Sequence, residues 1–301
     1  MSANSWVKLL SFLILFGVFY VSFKTPIDEQ QFQQKLLSQP PSNVFEENFE
    51  DVEKVSELFT ADFSGWHQIS NQNNEFKFFK NPTKNCLTAP VDCTTNTNQN
   101  HISLSQEIRR RGKNALKLTV QPTANQFGRK ASLSLRRQNL DFKQGDDIYM
   151  TGWFYLEGEQ KPNTQEFTFL GFRSADRSWR YRKEPGRFFL LERNNYLASD
   201  LLYWIPRPDT YRQSVLEEVA MPFNKWIQIQ IHMKVSADDD GLVQIWQDDK
   251  KILHYPGATI PENKTILSIL EIGILNHRDQ KNSQTLYLDE LRISNKPLFK
   301  L

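Results

Sequence analysis

The strongest constraint on this chain is a two-residue rhythm that runs through most of it. Ala115 to Val120 reads ALKLTV and Ala131 to Arg137 reads ASLSLRR, with apolar and polar residues taking turns. The rhythm returns in 147–156, 166–172, 187–192, 226–235, 241–247, 251–254, 266–275 and 285–294, where β-branched and aromatic residues are frequent. Successive side chains of a strand point to opposite faces, so such runs predict strands with one face in a core. A helix needs an apolar stripe of period about 3.6, and outside residues 6–23 and 28–37 no such stripe exceeds about three turns. Turn chemistry lies between the runs: Gln144-Gly145-Asp146-Asp147, Asp238-Asp239-Asp240-Gly241, Asp248-Asp249 and Asn276-His277-Arg278-Asp279. Many strands, few helices and no break in composition predict one all-β domain over residues 44–301, an antiparallel β-jelly-roll sandwich.

The N-terminus obeys a different rule. After a tail at 1–5, residues 6–23 read WVKLLSFLILFGVFYVSF and are apolar on every side. A helix of roughly 17–25 such residues spans a bilayer. No small-residue cleavage site follows, which predicts an uncleaved, single-pass transmembrane signal anchor. Residues 24–43 are polar and end in Gln39-Pro40-Pro41-Ser42, an extended stalk. This order puts the β-domain outside the cytoplasm, periplasmic or extracellular. Cys86 and Cys93 are the only cysteines. Export would let them close a loop disulfide, and two thiols cannot build a four-Cys zinc site.

A formal net charge of +2 excludes a bulk polycation or polyanion. The neutral total conceals one basic stretch. Arg173 to Arg187 (RSADRSWRYRKEPGR) has six basic and two acidic residues around Trp179 and Tyr181. Guanidinium forks grip carboxylate or sulfate with two parallel hydrogen bonds, and aromatic faces stack on rings. Arg173, Arg177, Trp179, Arg180 and Arg182 are therefore candidate contacts for an anionic glycan, with Tyr203 at the rim. Basic-plus-aromatic sequence also suits single-stranded nucleic acid. A membrane anchor argues against that partner, and none is expected. In the 226–235 run, Gln228, Gln230 and His232 share one face, opposite Ile227, Ile229 and Ile231. That polar face suits a binding cleft or the solvent side of an outer sheet. No HExxH, P-loop, EF-hand or GxSxG pattern occurs.

Three segments taken in order resemble a known family. Gly128 to Leu156 (GRKASLSLRRQNLDFKQGDDIYMTGWFYL) has an alternating strand, a Lys-Gln-Gly-Asp turn and a strand ending in Trp-Phe-Tyr-Leu. Trp226 to His254 has a strand, an Asp-Gly turn and a strand carrying Trp246. Leu286 to Ser294 is a closing strand that carries Asp289. Together they resemble the concanavalin A-like polysaccharide lyases of the heparin lyase and glucuronan lyase type, over residues 110–295. The resemblance implies a concanavalin A-like jelly roll, an acidic polysaccharide partner and β-elimination. A non-catalytic carbohydrate-binding module of the cell envelope is the alternative. β-Elimination needs a group to neutralise the uronate carboxylate, a base and an acid; His232 and Tyr181 are the candidates for proton transfer. The family's Arg-x-Glu has become Arg129-Lys130-Ala131-Ser132, and its Gln-Trp-His falls near Leu170-Gly171-Phe172-Arg173. The resemblance further implies a structural calcium, held by Asp289 with Glu47 and Glu50 from the FEENFED segment. No other cofactor is expected, and the chain is read as a monomer.

Overall fold

The computed structural model describes residues 44–59, 66, 68–72, 100–122, 129–135, 140–159, 167–174, 185–192, 195–202, 209–213, 218–277 and 282–299. All of them belong to one compact unit, Pro41–Leu301. Several expectations lie outside the described residues: the anchor at 6–23, the stalk at 24–43, Cys86, Cys93, Arg177, Trp179, Arg180, Tyr181, Arg182 and Tyr203. Among the described residues, no helix is long and apolar enough to cross a membrane.

The strands are β1 (Val44–Glu47), β2 (Gln68–Gln72), β3 (His101–Ser105), β4 (Ala115–Val120), β5 (Arg129–Leu135), β6 (Asp147–Glu157), β7 (Phe167–Arg173), β8 (Gly186–Leu191), β9 (Leu197–Leu202), β10 (Asp209–Tyr211), β11 (Trp226–Lys234), β12 (Leu242–Gln247), β13 (Lys250–Pro256), β14 (Ile269–His277) and β15 (Gln284–Ser294). They form two antiparallel sheets. The eight-stranded sheet runs β13-β12-β11-β6-β15-β4-β3, with β1 also paired to β15. The seven-stranded sheet runs β10-β9-β8-β7-β14-β5-β2. This all-β sandwich of antiparallel sheets agrees with the jelly-roll expectation.

Alternation explains the packing. Ile227, Ile229, Ile231 and Met233 of β11 are fully buried, as are Ile272 and Ile274 of β14. They belong to one core shared by both sheets. Phe154 of β6 meets Phe169 of β7 edge to face at 5.4 Å, joining the sheets directly. Burying one such side chain contributes about 1.5–3 kcal/mol. Gly273 lies at a β-bulge in β14 with φ +133°. A Cβ there would meet the Ala131 carbonyl oxygen at 2.4 Å and Leu118 of the facing sheet at 2.8 Å, so only glycine fits. Asp248 and Asp249, at φ 46° and 66°, form the tight turn from β12 to β13.

Two readings shift. The 266–275 run begins its strand only at Ile269 and continues to His277. Arg187 does not belong to a solvated basic loop. It lies in β8, is fully buried, stacks 4.3 Å from the Tyr211 ring centroid and donates to the Ala258 carbonyl. Its neighbours in β8 alternate around it, so the strand's inward register claims the guanidinium.

Candidate functional site

β14 occupies the middle of the seven-stranded sheet, between β7 and β5. Its sequence, ILEIGILNH, sends Leu270, Ile272 and Ile274 into the core. Glu271 faces the other way, on the outward side of the sheet, yet is only 1% exposed. A carboxylate so placed needs partners, because a bare buried charge costs several kcal/mol. Register supplies them. Glu271 pairs with Ser134 on β5 and with Gly171 on β7. Arg173, two residues beyond Gly171 on the same face, puts Nη2 2.9 Å from Glu271 Oε2. Lys130 and the Ser132 hydroxyl both reach Oε1, the hydroxyl donating at 2.7 Å. Side-chain exposure of Lys130 and Arg173 is 19% for each.

The three charges sum to +1. Burial alone would raise the Glu271 pKa, but the Arg173 and Lys130 charges with the Lys130 and Ser132 hydrogen bonds outweigh it. The carboxyl is held at about 2. A group that remains ionised at neutral pH with so low an affinity for protons is a poor base and no acid. Its effect is to hold two cations in place. Gly171 is bare because the Phe188 ring lies over it; a Cβ would come within 2.7 Å of that ring. Ser134 lies opposite Glu271, and its buried hydroxyl has no hydrogen-bond partner. The described partners of Glu271 are thus Lys130, Ser132 and Arg173, with no histidine, tyrosine or glutamine among them.

Arg173 is the one predicted glycan contact that lies within the described residues, and it stands at this cluster. Lys130, Ser132 and Glu271 escaped the sequence reading. The available signal was an acid in the middle of the apolar run ILSILEIGIL. Lys130 and Ser132 of β5 thus meet a carboxylate that comes from the neighbouring strand β14.

His232 stands elsewhere. It projects from β11 on the outward face of the eight-stranded sheet, alternating with the core residues Ile231 and Met233. Both sheets, about 10 Å apart, separate it from Arg173. The structure does not bring these two residues together. The ring stacks on Tyr149 at 4.5 Å with an interplanar angle of 1°. Its nitrogens meet Asp147 Oδ1 at 2.7 Å and Gln244 Oε1 at 2.9 Å, and Gln244 in turn bonds His254. It is 6% exposed and fully engaged within the protein.

The three carboxylates expected to share calcium each accept N–H hydrogen bonds. Asp289 accepts backbone N–H bonds from Arg110 and Arg111 at 3.0 and 3.4 Å, and from Glu290 at 2.8 Å. Glu50 accepts from the Lys113 and Asn114 N–H groups of the same loop at 2.6 and 3.3 Å. Glu47 accepts from Phe49 N–H at 2.9 Å and Trp66 Nε1–H at 3.1 Å. Backbone donors of the 109–114 loop thus tie the first-strand region to β15. Among the described residues, no group of three or more His, Cys, Asp or Glu is placed to hold a metal ion.

This fold matches a known class. The sequence fits the family described as polysaccharide lyase over residues 59–292, and the chain belongs to that family. The endo-β-1,4-glucuronan lyase of the fungus Trichoderma reesei superposes with a TM-score of 0.55 at 16% identity, over 67% of this chain and 90% of its own. An alginate lyase superposes with a TM-score of 0.55 at 10% identity, over 87% of this chain and 100% of its own. At these identities the likeness is one of fold. No curated protein sequence matches the chain significantly.

Proposed function

We propose that this protein engages an acidic polysaccharide through the outward face of its seven-stranded sheet, with Arg173 and Lys130 neutralising a uronate carboxylate. The observation that carries this reading is the Lys130–Glu271–Arg173 cluster: two cations set side by side on the outward face of the sheet by one carboxylate, each with part of its side chain exposed. Preorganised cations on a strand lose little freedom on binding. Family membership supports the same ligand class, since relatives of this fold are glucuronan and alginate lyases. Residues 6–23 anchor the domain outside the cytoplasm in this reading.

β-Elimination needs a base beside that carboxylate. His232 faces the opposite side of the sandwich, which favours Tyr181, eight residues after Arg173 in the sequence, as the proton-transfer candidate. Without such a group the same face acts as a binding module. The test uses the full-length protein in detergent with alginate, glucuronan, heparin and neutral dextran. Affinity electrophoresis reports binding, and ultraviolet absorbance of unsaturated uronate reports cleavage. Retardation by at least one acidic glycan, weakened in Arg173→Gln, is expected. Absorbance that rises and then vanishes in Tyr181→Phe assigns the lyase; retardation alone assigns the module. Neither signal on any acidic glycan would overturn the reading.

A further inference from the structure

The outward face of the eight-stranded sheet carries a second pattern. Three aromatic rings there each hold a cation above them. The Arg110 guanidinium carbon lies 4.1 Å from the Trp153 ring centroid, Lys117 Nζ 5.4 Å from Tyr287 and Lys251 Nζ 5.0 Å from Trp246. Other cations of this side are already neutralised, Arg292 by Glu46 and Arg111 by Glu290. Among the described residues, Arg110, Lys117 and Lys251 have their rings as partners and no carboxylate in an ion pair. An aromatic floor fixes a cation without cancelling its charge.

The rings follow a line. Trp246 on β12 pairs with Gln230 on β11, which pairs with Thr151 on β6. Trp153 lies two residues farther along β6. Tyr155, two farther again, pairs with Tyr287 on β15. With strands about 4.8 Å apart and a rise of about 3.4 Å per residue, this diagonal is about 20 Å long. That is room for several sugar units.

Thr151 provides an independent observation. It lies on this diagonal, is 8% exposed, and its hydroxyl has no hydrogen-bond partner. An orphaned hydroxyl in a row of amides and rings costs free energy unless a ligand or water completes it.

We propose that this face is a second binding track for an anionic polysaccharide, with Arg110, Lys117 and Lys251 contacting its acidic groups and Thr151 a sugar hydroxyl. The proposal takes its ligand class from the reading above but stands on the opposite side of the sandwich. An anionic membrane surface fits less well, because the rings lie flat beneath the cations instead of protruding to insert. A chain with a track on each side would bridge two polysaccharide strands.

Calorimetric titration of the full-length protein with size-defined alginate and glucuronan oligosaccharides tests it. Three proteins are compared: wild type, the triple variant Arg110→Gln/Lys117→Gln/Lys251→Gln, and Arg173→Gln, or Lys130→Gln if the latter misfolds. Circular dichroism confirms folding. Two sites per chain are expected in wild type, one lost in each variant. The track's affinity should fall about tenfold or more as salt screens its charges. Wild-type stoichiometry and affinity in the triple variant overturn the track. Binding lost in the triple variant but untouched by Arg173→Gln supports the track and overturns the seven-stranded face as the glycan site. A triple variant that loses only binding to phosphatidylserine vesicles assigns the cations to a membrane and overturns the track. No oligosaccharide binding by any of the proteins overturns both.

Discussion

The two outward faces of this sandwich use polar residues in opposite ways. On the seven-stranded sheet, Glu271 is nearly dry and holds Lys130 and Arg173 directly against its carboxylate. On the eight-stranded sheet, cations rest on rings with no carboxylate against them. There, His232 shares hydrogen bonds with Asp147 and Gln244. The first arrangement is rigid and intolerant of losing a member. The second can lose a charge without leaving another one buried. A polar face therefore does not reveal its own energetics; the partner geometry across the strands does.

The largest test of that contrast is Glu271→Gln. It removes the buried carboxylate that Lys130 and Arg173 share and should cost about 3–5 kcal/mol in urea unfolding. Replacing all three members with apolar residues of similar volume should recover most of the loss. A triple replacement as unstable as the single one would show that the cluster is not the source. On the other face, His232→Ala should cost about 1–3 kcal/mol, because it breaks the bridge from Asp147 to Gln244. Binding at the seven-stranded face and any cleavage should be unchanged in that variant, and their loss in a folded protein would link the two faces.

The pH dependence sharpens the contrast. Glu271 is held at about 2 against an ordinary 4.5. Its folded value lies below the unfolded one, so its stabilisation is complete above the unfolded value and is lost as pH falls toward the folded one. Asp289 runs the other way. Burial pushes its carboxyl up to about 6 from 3.8, against the pull of its N–H donors from Arg110, Arg111 and Glu290. The folded state takes up that proton first, so stability rises as pH falls through this window. Denaturant melts at about pH 7, 5 and 3 should show a gain and then a loss. Asp289→Asn should remove the gain and Glu271→Gln the loss; a loss that survives Glu271→Gln would come from other carboxylates. The smallest effect concerns calcium. With backbone N–H groups occupying Asp289, Glu50 and Glu47, EDTA should move the melting temperature by less than about 1 °C. A larger drop would restore a structural ion.

Much of the fold was legible. The ALKLTV run is β4 to the residue, and the 226–235 run, expected with isoleucines on one face, is β11 with those isoleucines buried. The strands that escaped notice, such as β1, β3 and β10, are short. A few residues of alternation cannot be told from chance. The candidate site was less legible. Arg173 was found because arginine is conspicuous in a basic stretch. Glu271 was passed over because the apolar run around it signals a buried acid but not its partners, which come from two other strands. The calcium expectation named Asp289 and Glu50 but did not foresee that N–H groups of a third segment, 109–114, would bond to both.

By itself the sequence determined which residues alternate, which of them enter a core, and that the result is a β-sandwich. Those properties follow from side-chain period and hydrophobicity, which are local. Only the tertiary structure decided that Lys130, Glu271 and Arg173 meet from three strands, and that His232 and Arg173 point away from each other. Strand order and register make those decisions, and they depend on pairings between residues far apart in the chain. No local period encodes them.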